Sequence, residues 1–95
     1  MQINLKFIVA KGAQEAFGAT EFAFELTGSS VGDLVHEIMQ KYGAPSKRVF
    51  LTKGHYETSL QIILNGRKYV PPEQMDEFPL QAGDSIIFAH LVEGG

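Results

Sequence analysis

Ser30-Val31-Gly32-Asp33-Leu34-Val35-His36-Glu37-Ile38-Met39-Gln40-Lys41-Tyr42-Gly43 is the most sharply patterned stretch of the chain. Val31, Leu34, Val35, Ile38, Met39 and Tyr42 recur at helical spacing and form one apolar stripe, with Asp33, His36, Glu37, Gln40 and Lys41 on the wet side. Ser30 reads as the N-cap, and Asp33 three residues on gives it a partner. Gly43 stands just past the helix, and Pro45 prevents its continuation. A helix with a single stripe must cover one face of a sheet.

Strands are read on both sides of it. Residues 2–10 alternate, with Ile3, Leu5, Phe7 and Val9 on one face and Gln2, Asn4, Lys6 and Ile8 on the other. The far end, Ile8-Val9-Ala10, is apolar on both faces, which places it inside the sheet. Residues 11–19 hold Gly12 and Gly18 and read as a loop or short irregular turn. Residues 20–26 alternate again, Phe22, Phe24 and Leu26 inward and Glu21 and Glu25 outward, and pair with the first strand as a hairpin with a long connection. Past the helix, Arg48-Val49-Phe50-Leu51-Thr52 reads as a short strand and Lys53-Gly54-His55 as a turn. Leu60-Gln61-Ile62-Ile63-Leu64 is a strand, Asn65-Gly66 is the strongest short hairpin signal available, and residues 67–70 return until Pro71-Pro72 stops them. Residues 73–78 make one helical turn, and residues 79–84 turn into the last strand. The whole predicts an α+β roll: a mixed sheet of about four to five strands with one main helix on one face. The first and last strands are apolar enough for the middle of the sheet, and if they sit side by side the helix covers both.

The chain has 95 residues, which predicts one domain over 1–95. That length buries roughly 60–65% of its unfolded surface, enough for a core without staples. Without cysteine there is no disulfide, no thiolate metal site and no internal sulfur nucleophile. The net charge of −3 argues against nucleic acid as a main partner. No apolar run approaches membrane-spanning length and the N-terminus is no signal peptide, so a cytoplasmic protein is the expectation.

The last thirteen residues, from Gly83-Asp84 through Ser85-Ile86-Ile87-Phe88-Ala89-His90 to Leu91-Val92-Glu93-Gly94-Gly95, read as a turn, an apolar strand and a bare Gly-Gly. A strand feeding a terminal carboxylate gives that carboxylate a firm base. Two glycines carry no Cβ, so the flexible tail can enter a channel too narrow for other residues. Chain ends are also often glycine-rich without any function. The last strand is apolar on both sides. With Ile86 and Phe88 turned to the helix, Ile87, Ala89 and Leu91 face outward beside Ile8, as an uncovered patch of the kind that marks a partner site.

This order of elements with this ending resembles the ubiquitin-like β-grasp sulfur carriers: the small subunit of molybdopterin synthase and the thiamine-biosynthesis carrier. The matching residues are Gly83-Asp84, one strand and Gly94-Gly95 at the family's spacing, Leu64-Asn65-Gly66, Val31 with Asp33-Leu34, and Phe7 through Gly18-Ala19-Thr20. Glu93 stands where a small residue is usual, and His90-Leu91 stand where the molybdopterin type often carries prolines. The resemblance implies that Gly95 is the reactive residue and Gly94 part of its tail. An activating enzyme of the ubiquitin-activating type, using ATP, adenylates that carboxylate. A sulfur donor protein turns it into a thiocarboxylate, and an acceptor such as a molybdopterin synthase large subunit takes the sulfur. The carrier itself is then no enzyme and binds no cofactor. Ile8, Ile87, Ala89, Leu91 and Glu93 are the expected partner-binding residues. Two alternatives stay open: a modifier joined through Gly95 to lysines of other proteins, and an interaction module with an inert tail. A thiamine-type carrier is the variant of the first reading.

Other constellations are weaker. His36, His55 and His90 fall on separate elements, and no metal site is expected from them. Lys47, Arg48, Lys53 and His55 form a small basic cluster that reads as a solvated turn. Gly54, Gly66 and Gly83 make no phosphate-cradling pattern.

Overall fold

The structure is a computed structural model, which describes residues 1–8, 12–56 and 59–90. The order is β1 (Gln2–Ile8), α1 (Ala13–Phe17), β2 (Glu21–Glu25), α2 (Val31–Tyr42), α3 (Ala44–Phe50), β3 (Leu51–Thr52), β4 (His55–Tyr56), β5 (Leu60–Leu64), β6 (Lys68–Tyr69), a 3₁₀ helix (Pro72–Glu77) and β7 (Ser85–His90). Five strands form a mixed sheet in the order β2-β1-β7-β5-β6, and β3 and β4 form a separate two-stranded ribbon. The first and last strands lie side by side and parallel, Phe7 opposite Phe88 and Ile8 opposite Ala89. β2 joins β1 antiparallel, and β5 joins the other side of β7 antiparallel.

Alternation sets the two faces of the sheet. Ile3, Leu5 and Phe7 of β1 and Ile86 and Phe88 of β7 are buried in one core with Val31, Leu34, Val35 and Ile38 of α2. Phe7 is the hub of a ring cluster, 4.8 Å from Phe17, 5.0 Å from Phe88 and 6.0 Å from Phe22. Phe50 closes edge-on against Phe88 at 5.1 Å.

α2 begins where its sequence says. The Ser30 hydroxyl accepts from the Asp33 amide at 3.0 Å, and the Asp33 carboxylate accepts from the Ser29 and Ser30 amides at 2.9 and 3.1 Å. One turn on, the Glu37 carboxylate accepts from the Thr27 and Gly28 amides at 2.9 and 2.7 Å. The link between β2 and α2 is thus held by two side chains of the helix. Gly28 fits because it has no Cβ: one built there would lie 2.5 Å from the Asp33 Cβ.

Two expectations need correction. Arg48-Val49-Phe50 is not strand but the end of α3, and only Leu51 and Thr52 are extended. Pro45 sits in the first turn of α3, where its fixed φ suits a helix and its missing N–H is no loss. The Ser46 hydroxyl donates to the Gly43 carbonyl at 2.6 Å, and Ser46, Val49 and Phe50 are all buried, the i, i+3, i+4 spacing of a helix. Residues 13–17, expected as irregular, form the one-turn helix α1. Gly12 and Gly18 flank it at positive φ, Ala13 is buried, and Phe17 packs on Phe7.

Ile38 is fully buried at the middle of the α2 stripe. Ile38→Ala is expected to cost about 2–4 kcal/mol through lost burial and a cavity, read from a denaturant melt. The pH response follows from the two helix carboxylates. The Ser29 and then the Ser30 amide hold the Asp33 carboxyl below its ordinary range. For Glu37, burial alone pushes upward, but the Thr27 and Gly28 amides outweigh it and the net direction is down. Groups with folded pKa values below the unfolded ones stabilise fully above the unfolded value, and that stabilisation fades as pH falls through the folded one. The melting temperature is therefore expected to drop as pH falls below about 4, less steeply in Asp33→Asn with Glu37→Gln. An unaltered slope in that double variant would show that these carboxylates do not tie the link.

Candidate functional site

The candidate site is the last strand, the sheet face it shares and the tail it leads into. Leu91, Glu93, Gly94 and Gly95 lie outside the described residues, as does the end of the first expected strand at Val9-Ala10. What the structure shows is the platform.

β7 is the middle strand of the sheet and is locked at its start. The Asp84 carbonyl accepts from the Asn4 amide at 2.9 Å, and the Gly83 amide donates to the Gln2 carbonyl at 2.8 Å. The Asp84 carboxylate accepts from the Gln81 amide at 2.8 Å and from the Asn65 side-chain amide at 3.1 Å. Asn65 returns its own oxygen to the Ser85 amide at 2.8 Å, while its backbone amide donates to the Ser85 carbonyl at 2.7 Å. Asn65 and Gly66 have φ of 53° and 71°, the left-handed pair a tight hairpin demands. Sequence reading finds Asn65 as a turn residue and misses its second task, fastening the turn before β7. At its far end, β7 is paired through Ala89 with Ile8 and through His90 with Leu60.

The two faces of β7 differ as alternation implies. Ile86 and Phe88 are fully buried toward α2, and Ile87 and Ala89 are half-buried on the opposite face. Ile8 lies beside Ala89 on that face and is 38% exposed. The structure adds two residues the sequence reading did not place there. Ile63 stands directly opposite Ile87, and Tyr69, 47% exposed, stands directly opposite Ile63. Their face follows from pairing register, which no local pattern in the chain announces. Toward β2 the same face dips into an open groove of about 510 Å³, lined by Asn4, Lys6, Glu21, Ala23, Ser85 and Ile87 among others.

The remaining candidates disperse. His36 is exposed on α2, His55 is exposed on β4, and His90 is half-buried on β7, its Nε2 without a hydrogen-bond partner among the described residues. No group of three or more histidine, aspartate or glutamate side chains gathers for a metal among the described residues. Lys47, Arg48, Lys53 and His55 are all exposed. A second cleft, of about 460 Å³, lies between α2, β4 and the 3₁₀ helix, where Asp33, His36, Tyr56, Glu73 and Asp76 meet. Burial, and then the Asp76 carboxylate, push the Tyr56 hydroxyl above its ordinary pKa. Among the described residues no helix is long and apolar enough to cross a membrane.

A family model, the ThiS family, matches residues 9–95, which is nearly the whole chain and includes its Gly-Gly end. The chain belongs to the ThiS family. A search of curated protein sequences found no match. Among solved structures, small archaeal modifier protein 1 from Methanosarcina acetivorans is 25% identical, with a TM-score of 0.71 over 99% of this chain and 96% of that one. A putative molybdopterin converting factor subunit 1 from Pyrococcus furiosus is 23% identical, with a TM-score of 0.68 over 97% and 99% of the two chains. A complex of subunits 1 and 2 of molybdopterin-converting factor from Helicobacter pylori supplies a chain 20% identical, with a TM-score of 0.60 and full coverage of both. These likenesses give the ThiS-family chain a ubiquitin-like β-grasp fold. They span a protein named as a modifier and proteins named for molybdopterin conversion, one of them in a complex with a partner protein.

Proposed function

We propose that this ThiS-family chain is a sulfur carrier whose reactive group is the C-terminal carboxylate of Gly95, serving molybdopterin synthesis. The observation that carries the proposal is the family match running through residue 95, onto a β-grasp platform whose middle strand leads to that end. The likeness to molybdopterin-converting subunits favours that pathway. The likeness to an archaeal modifier protein keeps conjugation through Gly95, the modifier reading, as the second.

The chemistry explains the partners. A free α-carboxyl has a pKa of roughly 3.5, so at neutral pH it is an anion and a poor electrophile. In the proposed sequence a carboxylate oxygen of Gly95 attacks the α-phosphorus of ATP on an adenylating enzyme, and pyrophosphate leaves. A partner's persulfide sulfur then attacks the acyl carbon and AMP leaves. A thiol reduces the resulting acyl disulfide, freeing the thiocarboxylate and leaving a disulfide on the donor side. The chain contributes presentation to these steps. With no cysteine, it holds no thiol that could attack its own adenylate. The open face carrying Ile8, Ile87 and Ala89 docks the adenylating enzyme and the sulfur acceptor, with Leu91 and Glu93, the next outward-reading and charged residues of the sequence, as further partner contacts.

Two outcomes test this. Ile87→Asp sets a carboxylate in the middle of the face, so both complexes should weaken while the thermal melt still shows a folded protein. Equal affinities for variant and parent in calorimetry would remove the face from docking. Deleting Gly95, or adding one residue after it, should abolish ATP–pyrophosphate exchange by the adenylating enzyme, with little change in thermal stability because a terminus is altered. Normal exchange by the shortened chain would mean that Gly95 is not the site.

A further inference from the structure

The open face carries an order of charges as well as an apolar patch. At one level of the sheet, strand pairing sets Glu21 opposite Lys6, Lys6 opposite Ile87, Ile87 opposite Ile63 and Ile63 opposite Tyr69. Directly paired residues share a face, so these five form one row across the strands, roughly 19 Å long at the usual strand spacing. One end is ionic and the other apolar. Lys6 and Glu21 are neighbours of opposite charge, yet among the described residues they make no ion pair with each other or with any other side chain. By contrast, Glu25 on the same strand holds the Met1 ammonium at 3.0 Å. Both charged ends of the pair are left to solvent above the groove, whose floor the smaller Asn4, Ala23 and Ser85 keep low.

We infer that this row is a specificity element, read by a protein partner that sets an acidic side chain over Lys6, a basic one over Glu21 and an apolar anchor over Ile87, Ile63 and Tyr69. The inference rests on the sulfur-carrier reading and names the chemistry of the partner's docking surface. Symmetry disfavours a second copy of the chain as the occupant. A two-fold axis across the row would lay Lys6 and Glu21 on the other copy's Ile63 and Tyr69, which desolvates charge against apolar surface. An axis along the row would set Lys6 on Lys6 and Glu21 on Glu21, which repels. A partner of a different sequence can match both ends at once. Ionic pairs at such a position set orientation and reject wrong partners, while the apolar end supplies buried area.

The test measures ATP–pyrophosphate exchange by the organism's adenylating enzyme as a function of carrier concentration. Lys6→Glu and Glu21→Lys should each raise KM about tenfold or more and leave kcat at saturation near the parent value. Tyr69→Ala should raise KM as well, and Lys47→Glu, on the exposed side of α3, should not. Exchanging the two charges together, K6E with E21K, keeps the net charge and should still fail, because the partner's order is fixed. The parent KM should rise with salt, and K6Q with E21Q should flatten that rise. Parent-like KM for both single reversals, or for the exchanged pair, would overturn the inference while leaving the sulfur-carrier reading standing. No exchange even with the parent chain would overturn both. Dimerisation in sedimentation that Ile87→Asp abolishes would assign the face to a second copy instead.

Discussion

Phe7 and Phe88 face each other across the parallel β1–β7 pair with ring centroids 5.0 Å apart, and the rest of the structure is arranged around that contact. A parallel pair needs a long crossover between its strands, and here nearly the whole chain supplies it. β2 and α2 leave from one side, and β5 and β6 return on the other. Phe17 of α1, Phe22 of β2 and Phe50 of α3 close on the two rings from three further elements. The aromatic cluster thus joins the first strand to the last, and the last strand leads toward the residues proposed to react.

That arrangement separates stability from presentation. One face of β7 is spent on the core through Ile86 and Phe88. The other face, through Ile87 and Ala89, makes no demand on the helix and is open to a partner. The Asp84–Asn65–Ser85 hydrogen bonds fix where β7 begins, so its direction is set before it reaches His90. In the proposed reading, the open sheet face is a fixed surface that partner enzymes hold while they work on the residues that follow β7. This division of labour fits a carrier or a modifier, both of which are worked on by others.

Much of this was legible in the chain. The α2 stripe, its Ser30–Asp33 cap, the alternation of β1 and the Asn65-Gly66 turn are local signals, and each stands where the sequence put it. That β1 and β7 are apolar enough for the middle of the sheet was legible, while their pairing, and its parallel sense, is what the structure shows. Val49-Phe50-Leu51 misled because β-branched and aromatic residues in a short run suit a strand as well as a buried helix end. The deciding residue was Ser46, whose burial no hydrophobic pattern reveals. α1 was too short to show a period. On the open face, Ile8, Ile87 and Ala89 followed from alternation, but Ile63 and Tyr69 did not. Their place depends on which strands pair and in what register, a long-range fact. The role proposed for Gly95 rests on the chemistry of a carboxylate and on family membership.

The most direct measurement is the intact mass of the chain purified from the organism that makes it, with fragmentation to place any change. The expected result is a fraction heavier by the exchange of one oxygen for sulfur, with the gain confined to Gly95 and absent from cells lacking the adenylating enzyme. A chain of unaltered mass in cells that are making the sulfur-containing cofactor, or a gain placed on any other residue, would contradict the assignment of Gly95 as the sulfur-bearing group.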